Sequence, residues 1–156
     1  MFELLLKEEN LKKFRGHING LANDIEDEID NILMKHVQHD RVGYCKLFVN
    51  SRFKVEPFPF NDKVIVLKKL NDEKRITPAF SDDLIDDIKN TNDRRTIFVH
   101  GRPIFSNDSR ELFLEFIKLG VVNRVHITEN YWRETMNLFV HTKNNLRIVL
   151  ANIIGN

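Results

Sequence analysis

The sequence is poor in cysteine and has no long hydrophobic run. Cys45 is its only cysteine, which excludes an intramolecular disulfide, a cysteine-pair zinc site and a dithiol redox motif. We interpret Cys45, which lies in an apolar run, as a small buried residue rather than a reactive thiol. No segment reaches the roughly 18 consecutive apolar residues of a membrane span, and Glu3 precedes the first apolar run, unlike a secretory signal. We therefore expect a cytoplasmic protein with no membrane contact.

An excess of charge of one sign is also lacking. The chain has 24 Lys and Arg against 23 Asp and Glu, a net charge of +1. Proteins that coat nucleic acid normally carry a strong basic excess, because phosphate neutralisation supplies much of the affinity. The charge balance therefore does not indicate a nucleic-acid partner. The 156 residues suit one domain, and we predict a helical portion over 1–40 and a sheet portion over 42–156.

Apolar residues recur every three or four positions through the first quarter of the chain. They are Leu11, Phe14, Ile18, Leu21, Ile25, Ile29, Ile32, Leu33 and His36. This spacing places them on one face of an α-helix. Gly16 and Gly20 interrupt the pattern, and each lowers helix stability by about 1 kcal/mol relative to alanine. A break or kink is therefore expected at these glycines, and the strongest helix is predicted over 23–37.

From Val42 onward the pattern changes from helical to extended. Strands are predicted over 42–49, 52–58, 64–67, 96–100 and 121–128, helices from Ser81 and from Asp108 to Gly120, and a hairpin over 136–141 and 146–153. Strands that alternate with helices are typical of parallel βαβ units. The sequence thus predicts an α/β fold with a central, mostly parallel, Rossmann-like sheet, a C-terminal antiparallel hairpin and a helical N-terminal segment.

Basic residues follow two of the predicted strands. Ligands of an open parallel sheet bind beyond the carboxyl ends of its strands. Lys68 and Lys69 follow one strand, whereas His100 ends the next and Gly101 and Arg102 follow it. These residues predict a phosphate-binding crevice, with simple solvation of the charges as the alternative. His100 is the best catalytic candidate because it ends a central strand, and a structural histidine is the alternative.

Four short segments carry a resemblance to a known family. They are Pro57-Phe58-Pro59, Val64-Ile65-Val66-Leu67-Lys68-Lys69, Ile97-Phe98-Val99-His100-Gly101 and Val125-His126-Ile127-Thr128. Their order, followed by a predicted hairpin, resembles the dihydrofolate reductase family over residues 48–156. The resemblance implies an NADPH site with Lys68 and Lys69 at the 2′-phosphate and Gly101 near the pyrophosphate. His100 stands where the family has a glycine, and the family's catalytic acid is not recognisable.

Two histidines near the end of the first predicted helix are weak metal candidates. His36 and His39 are three residues apart, and Asp40 follows them, which places three possible ligands at one helix end. No further ligand is evident nearby, and histidine near a helix C-terminus is favoured electrostatically in any case. We predict no metal here, and no cofactor unless the NADPH alternative holds.

The chain has twelve phenylalanines, more than one sheet face can bury. Phe58 and Phe60 lie in a predicted proline-bounded loop, and we predict that they and Trp132 form an interface, with core packing as the alternative. The leading hypothesis is a non-catalytic interaction or assembly protein whose N-terminal helix and Phe58–Phe60 loop contact a protein partner or a second copy. A viral or phage origin with a virion-associated location is one version of this hypothesis. The alternative is a nucleotide-binding enzyme with a dihydrofolate reductase-like fold, either an NADPH-dependent reductase or a degenerate relative.

Overall fold

Helices dominate the structure. A computed structural model describes residues 8–39, 59–106 and 111–154. In chain order these residues form α1 (Glu8–His39), α2 (Phe60–Asp72), α3 (Asp82–His100), β1 (Arg102–Ser106), β2 (Glu111–Lys118), β3 (Val121–His126) and α4 (Glu129–Ile154). Among these residues, no helix combines the length and hydropathy needed to cross a bilayer.

The chain divides into two compact units. The sheet unit comprises residues 1–23 and 90–141, and the helical unit comprises residues 24–89 and 142–156. Helices α1, α3 and α4 each contribute residues to both units. The single domain expected over 1–156 therefore stays a prediction.

The predicted Rossmann-like parallel sheet is wrong. The described strands form one antiparallel sheet in the order β1-β2-β3. The segments 64–67 and 96–100, predicted as strands, lie inside α2 and α3, and α4 occupies the predicted C-terminal hairpin. Strand β2 replaces the helix predicted from Asp108, whereas β3 confirms the strand expected near 121–128. The strands predicted over 42–58 lie outside the described residues.

The predicted N-terminal helix is confirmed. Helix α1 runs without interruption through Gly16 and Gly20, so the break expected at these glycines is wrong. A Cβ atom on either glycine would meet no other atom within 4 Å, so both positions face open space. Most of the predicted apolar face is buried, with Ile18, Ile29 and Ile32 fully covered, whereas Phe14, Leu21 and His36 are half-buried.

The helical unit packs an apolar core with a buried lysine at its edge. Its fully or nearly buried residues are Ile25, Ile29, Ile32, Leu33, Val64, Leu67, Leu70, Ile76, Leu84, Ile85, Ile88, Leu146 and Val149. Lys63 of α2 lies 2.7 Å from both Glu26 and Asp30 of α1. Burial alone lowers the pKa of the Lys63 amine, but the hydrogen bonds and charges of Asp30 and Glu26 outweigh burial and raise the pKa. This triad therefore keeps a charged amine at the edge of the core.

An aromatic cluster lies in the core of the sheet unit. The Trp132 ring lies edge-on to Phe14 at 5.1 Å and to Phe98 at 5.6 Å between centroids, a geometry that favours aromatic pairs. The inward side chains of β2, Leu112 and Leu114, are fully buried. The sheet therefore has one face toward this core and one face outward.

Candidate functional site

The β2–β3 connection is a two-residue turn. Lys118 pairs with Val121 at the end of the ladder, and Leu119 and Gly120 between them have φ values of +53° and +77°. Two positive φ values are the signature of a type I′ turn, which matches the twist of a hairpin and favours Asn-Gly. Glycine adopts this conformation freely, whereas a leucine there costs about 1 kcal/mol or more. The turn therefore contains a residue that its backbone geometry disfavours.

The side chains around this turn are apolar and exposed. Leu119 is 96% exposed, and Ile117, Val121 and Val122 are 60 to 72% exposed. We call these four residues the hairpin tip. Ile117 and Val122 face each other across the two strands, so the exposed apolar groups lie together rather than scattered. Contiguous exposed apolar surface usually marks an interaction site.

The outer edge of β3 presents backbone hydrogen-bonding groups. The Ile127 amide donates to the Leu112 carbonyl at 2.8 Å, which continues the β2–β3 register. Because bonded and non-bonded pairs alternate along an antiparallel ladder, Val125, Asn123 and Val121 also bond to β2. Residues 122, 124 and 126 consequently direct their amides and carbonyls away from β2. Within the described residues, no strand pairs with this edge.

The opposite edge of the sheet is different. Pro103 lies opposite Leu114, and Leu114 bonds to β3 by the same alternation. Pro103 therefore faces away from β2, where its missing N–H removes an edge donor. Only Phe105 of the five-residue strand β1 directs an amide outward. A proline and a short length are common protections of an edge strand, and β3 has neither proline nor bulge.

Charged and aromatic groups flank the tip on the outward face of the sheet. Glu115 lies between Arg102 of β1 and Arg124 of β3 in the strand register, and Arg124 donates to it at 3.0 Å. One row further from the turn, the rings of Phe113 and His126 stack at 4.6 Å. These contacts hold two side chains of β3 against β2 on the outward face of the sheet.

The predicted phosphate ligands Lys68 and Lys69 lie within α2, not at the end of a strand. Lys68 bonds Asp82 at 2.8 Å and approaches Asp72 at 3.4 Å, and the hydrogen bond to Asp82 raises the pKa of the Lys68 amine and lowers that of Asp82. Lys69 is exposed, 3.9 Å from Glu73. Carboxylates therefore occupy the place expected for phosphate.

His100, Gly101 and Arg102 lie in the sheet unit, at the junction of α3 and β1. The Gly101 amide donates to the Ile97 carbonyl at 3.0 Å, and a Cβ on Gly101 would lie 2.3 Å from that oxygen. The Arg15 side chain donates to the Gly101 carbonyl. Close packing against α3 therefore accounts for the glycine, while His100 and Arg102 are exposed. The NADPH site stays a prediction, although the described residues do not form the parallel sheet at whose edge it was expected.

A small recess lies in the helical unit beside Lys68. Val64, Ile65 and Ile85 line it together with Lys68 and Lys89, and its volume is about 250 Å³. Small-molecule sites usually enclose about 300 to 1,000 Å³ and contain converging polar groups. Here the two lysines are paired with Asp82 and Asp86. The recess is therefore smaller than a typical small-molecule site, and its two charged groups already have partners.

The other predicted site residues are dispersed. Trp132, predicted at an interface, is 6% exposed because the aromatic cluster of the sheet unit covers it. Phe60 is half-buried in the first turn of α2, and Phe58 lies outside the described residues. His36 and His39 lie at the end of α1, and Asp40 lies outside the described residues. Among the described side chains, no three potential ligands group as a metal site.

Sequence reasoning missed the hairpin as a surface. The signal was present, because β-branched residues follow Leu119-Gly120 directly, but Gly120 also fits the end of a helix. Comparison of the chain with protein-family models, curated proteins and solved structures gave no match. The geometry of the hairpin therefore carries the functional argument.

Proposed function

We propose that this is a non-catalytic interaction protein that binds a protein partner through the β2–β3 hairpin. The observation that carries the proposal is Leu119, which is 96% exposed at a φ of +53°. Its side chain gains nothing from burial in its own chain, and its backbone conformation is disfavoured. Disfavoured conformations held at one position are often linked to function. Contact with a partner supplies the missing burial.

The adjacent edge favours a protein over a lipid surface as the partner. Amides and carbonyls at 122, 124 and 126 are matched by the backbone of an extended strand, which is how sheet edges recognise peptides. Hydrocarbon offers no such groups and penalises them. The apolar tip and the polar edge together therefore fit a protein that supplies both an apolar surface and a strand.

A photo-crosslinking residue placed at position 119, in cells that make the protein, tests the proposal. The matched control is position 133, because Arg133 is also exposed, with 67% of its side chain open to solvent on α4. We expect a protein adduct from position 119 and none from position 133. That adduct should be lost in Arg124→Pro, which removes an edge amide, and kept in Arg124→Ala. Equal labelling at both positions, or adducts with lipid alone, would overturn the proposal.

A further inference from the structure

We infer that the partner strand at the β3 edge carries an acidic residue opposite Arg124, with an apolar residue two positions away on each side. This inference rests on the proposed function and names the chemistry of the partner at the same surface. The observation that carries it is the charge on β3, whose only ionisable side chains are Arg124 and His126. An edge that presents cations and aliphatic groups is complementary to a strand of acids and aliphatic groups.

Side chains on the outward face of the sheet form three cross-strand rows that reach β3. The row nearest the turn is apolar, the middle row is charged, and the third row is apolar and aromatic. In that order, the rows are Ile117-Val122, Arg102-Glu115-Arg124 and Ile104-Phe113-His126. An added strand places every second side chain on this face, so it extends each row by one residue.

The middle row has one carboxylate between two arginines. Glu115 lies opposite Arg102 on one side and opposite Arg124 on the other, and Arg124 donates to it at 3.0 Å. The Glu115 side chain is 25% exposed, whereas that of Arg124 is 55% exposed, so the guanidinium is open to solvent at the edge. An acid on the added strand continues the alternation of charge and accepts from N–H groups that Glu115 leaves unused.

The two neighbouring rows favour apolar residues on either side of the acid. An apolar side chain beside Val122 covers part of the exposed hairpin tip. The His126 ring stacks on Phe113 at 4.6 Å and lies 3.7 Å from Glu111, so this row already has an acid and ends in a ring that favours an apolar neighbour.

The complementary strand therefore reads apolar, any residue, acidic, any residue, apolar. We call this order the acid-centred pattern. It is the same in both chain directions, so it applies to a parallel or an antiparallel strand.

A second copy does not supply this pattern through its own β3. Val121–His126 contains no acid, so pairing two copies brings further cations beside a row that already has an excess of positive charge. The first acid after β3 is Glu129, which lies in α4 and bonds Arg133 at 3.4 Å. The charge pattern favours a different protein as partner, and self-association through this edge would contradict the inference.

Selection of displayed random peptides on the full-length protein tests the inference. We expect the wild-type chain to enrich peptides with the acid-centred pattern. Arg124→Gln keeps the backbone edge but removes the charge, and its selected peptides should show no preference for an acid. The matched control is Arg133→Gln, which removes an exposed arginine of α4 and should leave the preference unchanged. Recovery of no peptide, of peptides without the acid, or of the same preference with Arg124→Gln would overturn the inference.

Fluorescence anisotropy with one selected peptide measures the charge contribution. Replacing its central acid by glutamine should weaken binding about threefold, and by lysine about tenfold. In the double variant Glu115→Arg with Arg124→Glu, the lysine peptide should bind most tightly. An unchanged order of affinities would overturn the inference. Amide chemical shifts of Val122 and Arg124 report binding at the edge, and unchanged circular dichroism shows that the variants fold.

The two proposals fail in different ways. A protein adduct at position 119 whose contacting strand lacks the acid-centred pattern refutes the inference and leaves the proposed function standing. A dimer in sedimentation equilibrium that Arg124→Pro dissociates and Arg124→Ala preserves identifies a second copy as the occupant and also refutes the inference alone. No specific adduct at position 119 together with no selected peptide refutes both.

Discussion

Val121 lies directly opposite Lys118 as the last pair of the β2–β3 ladder. The chain therefore reverses within two residues, and Leu119 occupies the first of them with a positive φ. A type I′ turn favours asparagine at this position, whereas here the position holds the large, exposed side chain of Leu119. Stability and interaction make opposite demands at this residue.

Leu119→Asn should stabilise the isolated protein. Asparagine tolerates the left-handed conformation, and no burial is lost at a side chain that is 96% exposed. We expect the free energy of unfolding to rise by about 1 kcal/mol, measured by urea denaturation at a concentration where the protein is monomeric. Leu119→Ala is the control, because alanine removes the apolar side chain without relieving the turn, and its stability should change little. Both variants should bind the partner less well.

Gly101→Ala and Gly16→Ala should change stability in opposite directions. A Cβ at position 101 meets the Ile97 carbonyl oxygen at 2.3 Å, whereas at position 16 it meets nothing within 4 Å. We expect Gly101→Ala to lower the free energy of unfolding by about 1 to 3 kcal/mol. Gly16→Ala, in the middle of α1, should raise it by about 0.5 to 1 kcal/mol. Thermal and urea unfolding measure both, and equal effects would show that the α3–β1 junction is less tightly packed than described.

Lys63 should make the stability of the protein depend on alkaline pH. Its pKa in the folded state is raised above the ordinary value of 10.5, so its contribution is complete below that value and is lost as pH rises through the folded-state pKa. Lys63→Met keeps the aliphatic stem but leaves Glu26 and Asp30 without the amine, and we expect a loss of about 1 to 3 kcal/mol at neutral pH. The difference between wild type and variant should shrink above about pH 10.5. A difference that stays constant between pH 8 and 12 would contradict this role.

Local signals were enough to predict part of the fold. Helix α1 follows from its apolar spacing, and the start of α3 follows from Ser81 and the acidic residues after it. Both signals act within one or two turns of the chain, so sequence alone contains them. The strand near 121–128 was also predicted, because β-branched residues concentrate there.

Non-local contacts decided the parts that the sequence did not predict. Residues 111–118 fit two patterns, since Leu112, Phe113, Phe116 and Ile117 have helical spacing while Leu112, Leu114 and Phe116 alternate. The segment forms a strand because it pairs with β1 and β3. The apolar spacing of residues 111–118 contains no information about these two partners. The short apolar run 64–67 has the same ambiguity and lies in α2, where only one side is core. The exposed tip depends on these pairings, so its residues were not predicted as a site.

Hydrogen exchange at the β3 amides tests the central claim, that the β2–β3 hairpin binds a protein partner, most directly. Val122 and Arg124 direct their amides outward, whereas Asn123 and Val125 bond to β2 with or without a partner. We predict that adding the protein captured at position 119 slows exchange at Val122 and Arg124 and leaves the protection of Asn123 and Val125 unchanged, as resolved by NMR. Equally rapid exchange at Val122 and Arg124 with and without saturating partner would contradict the account.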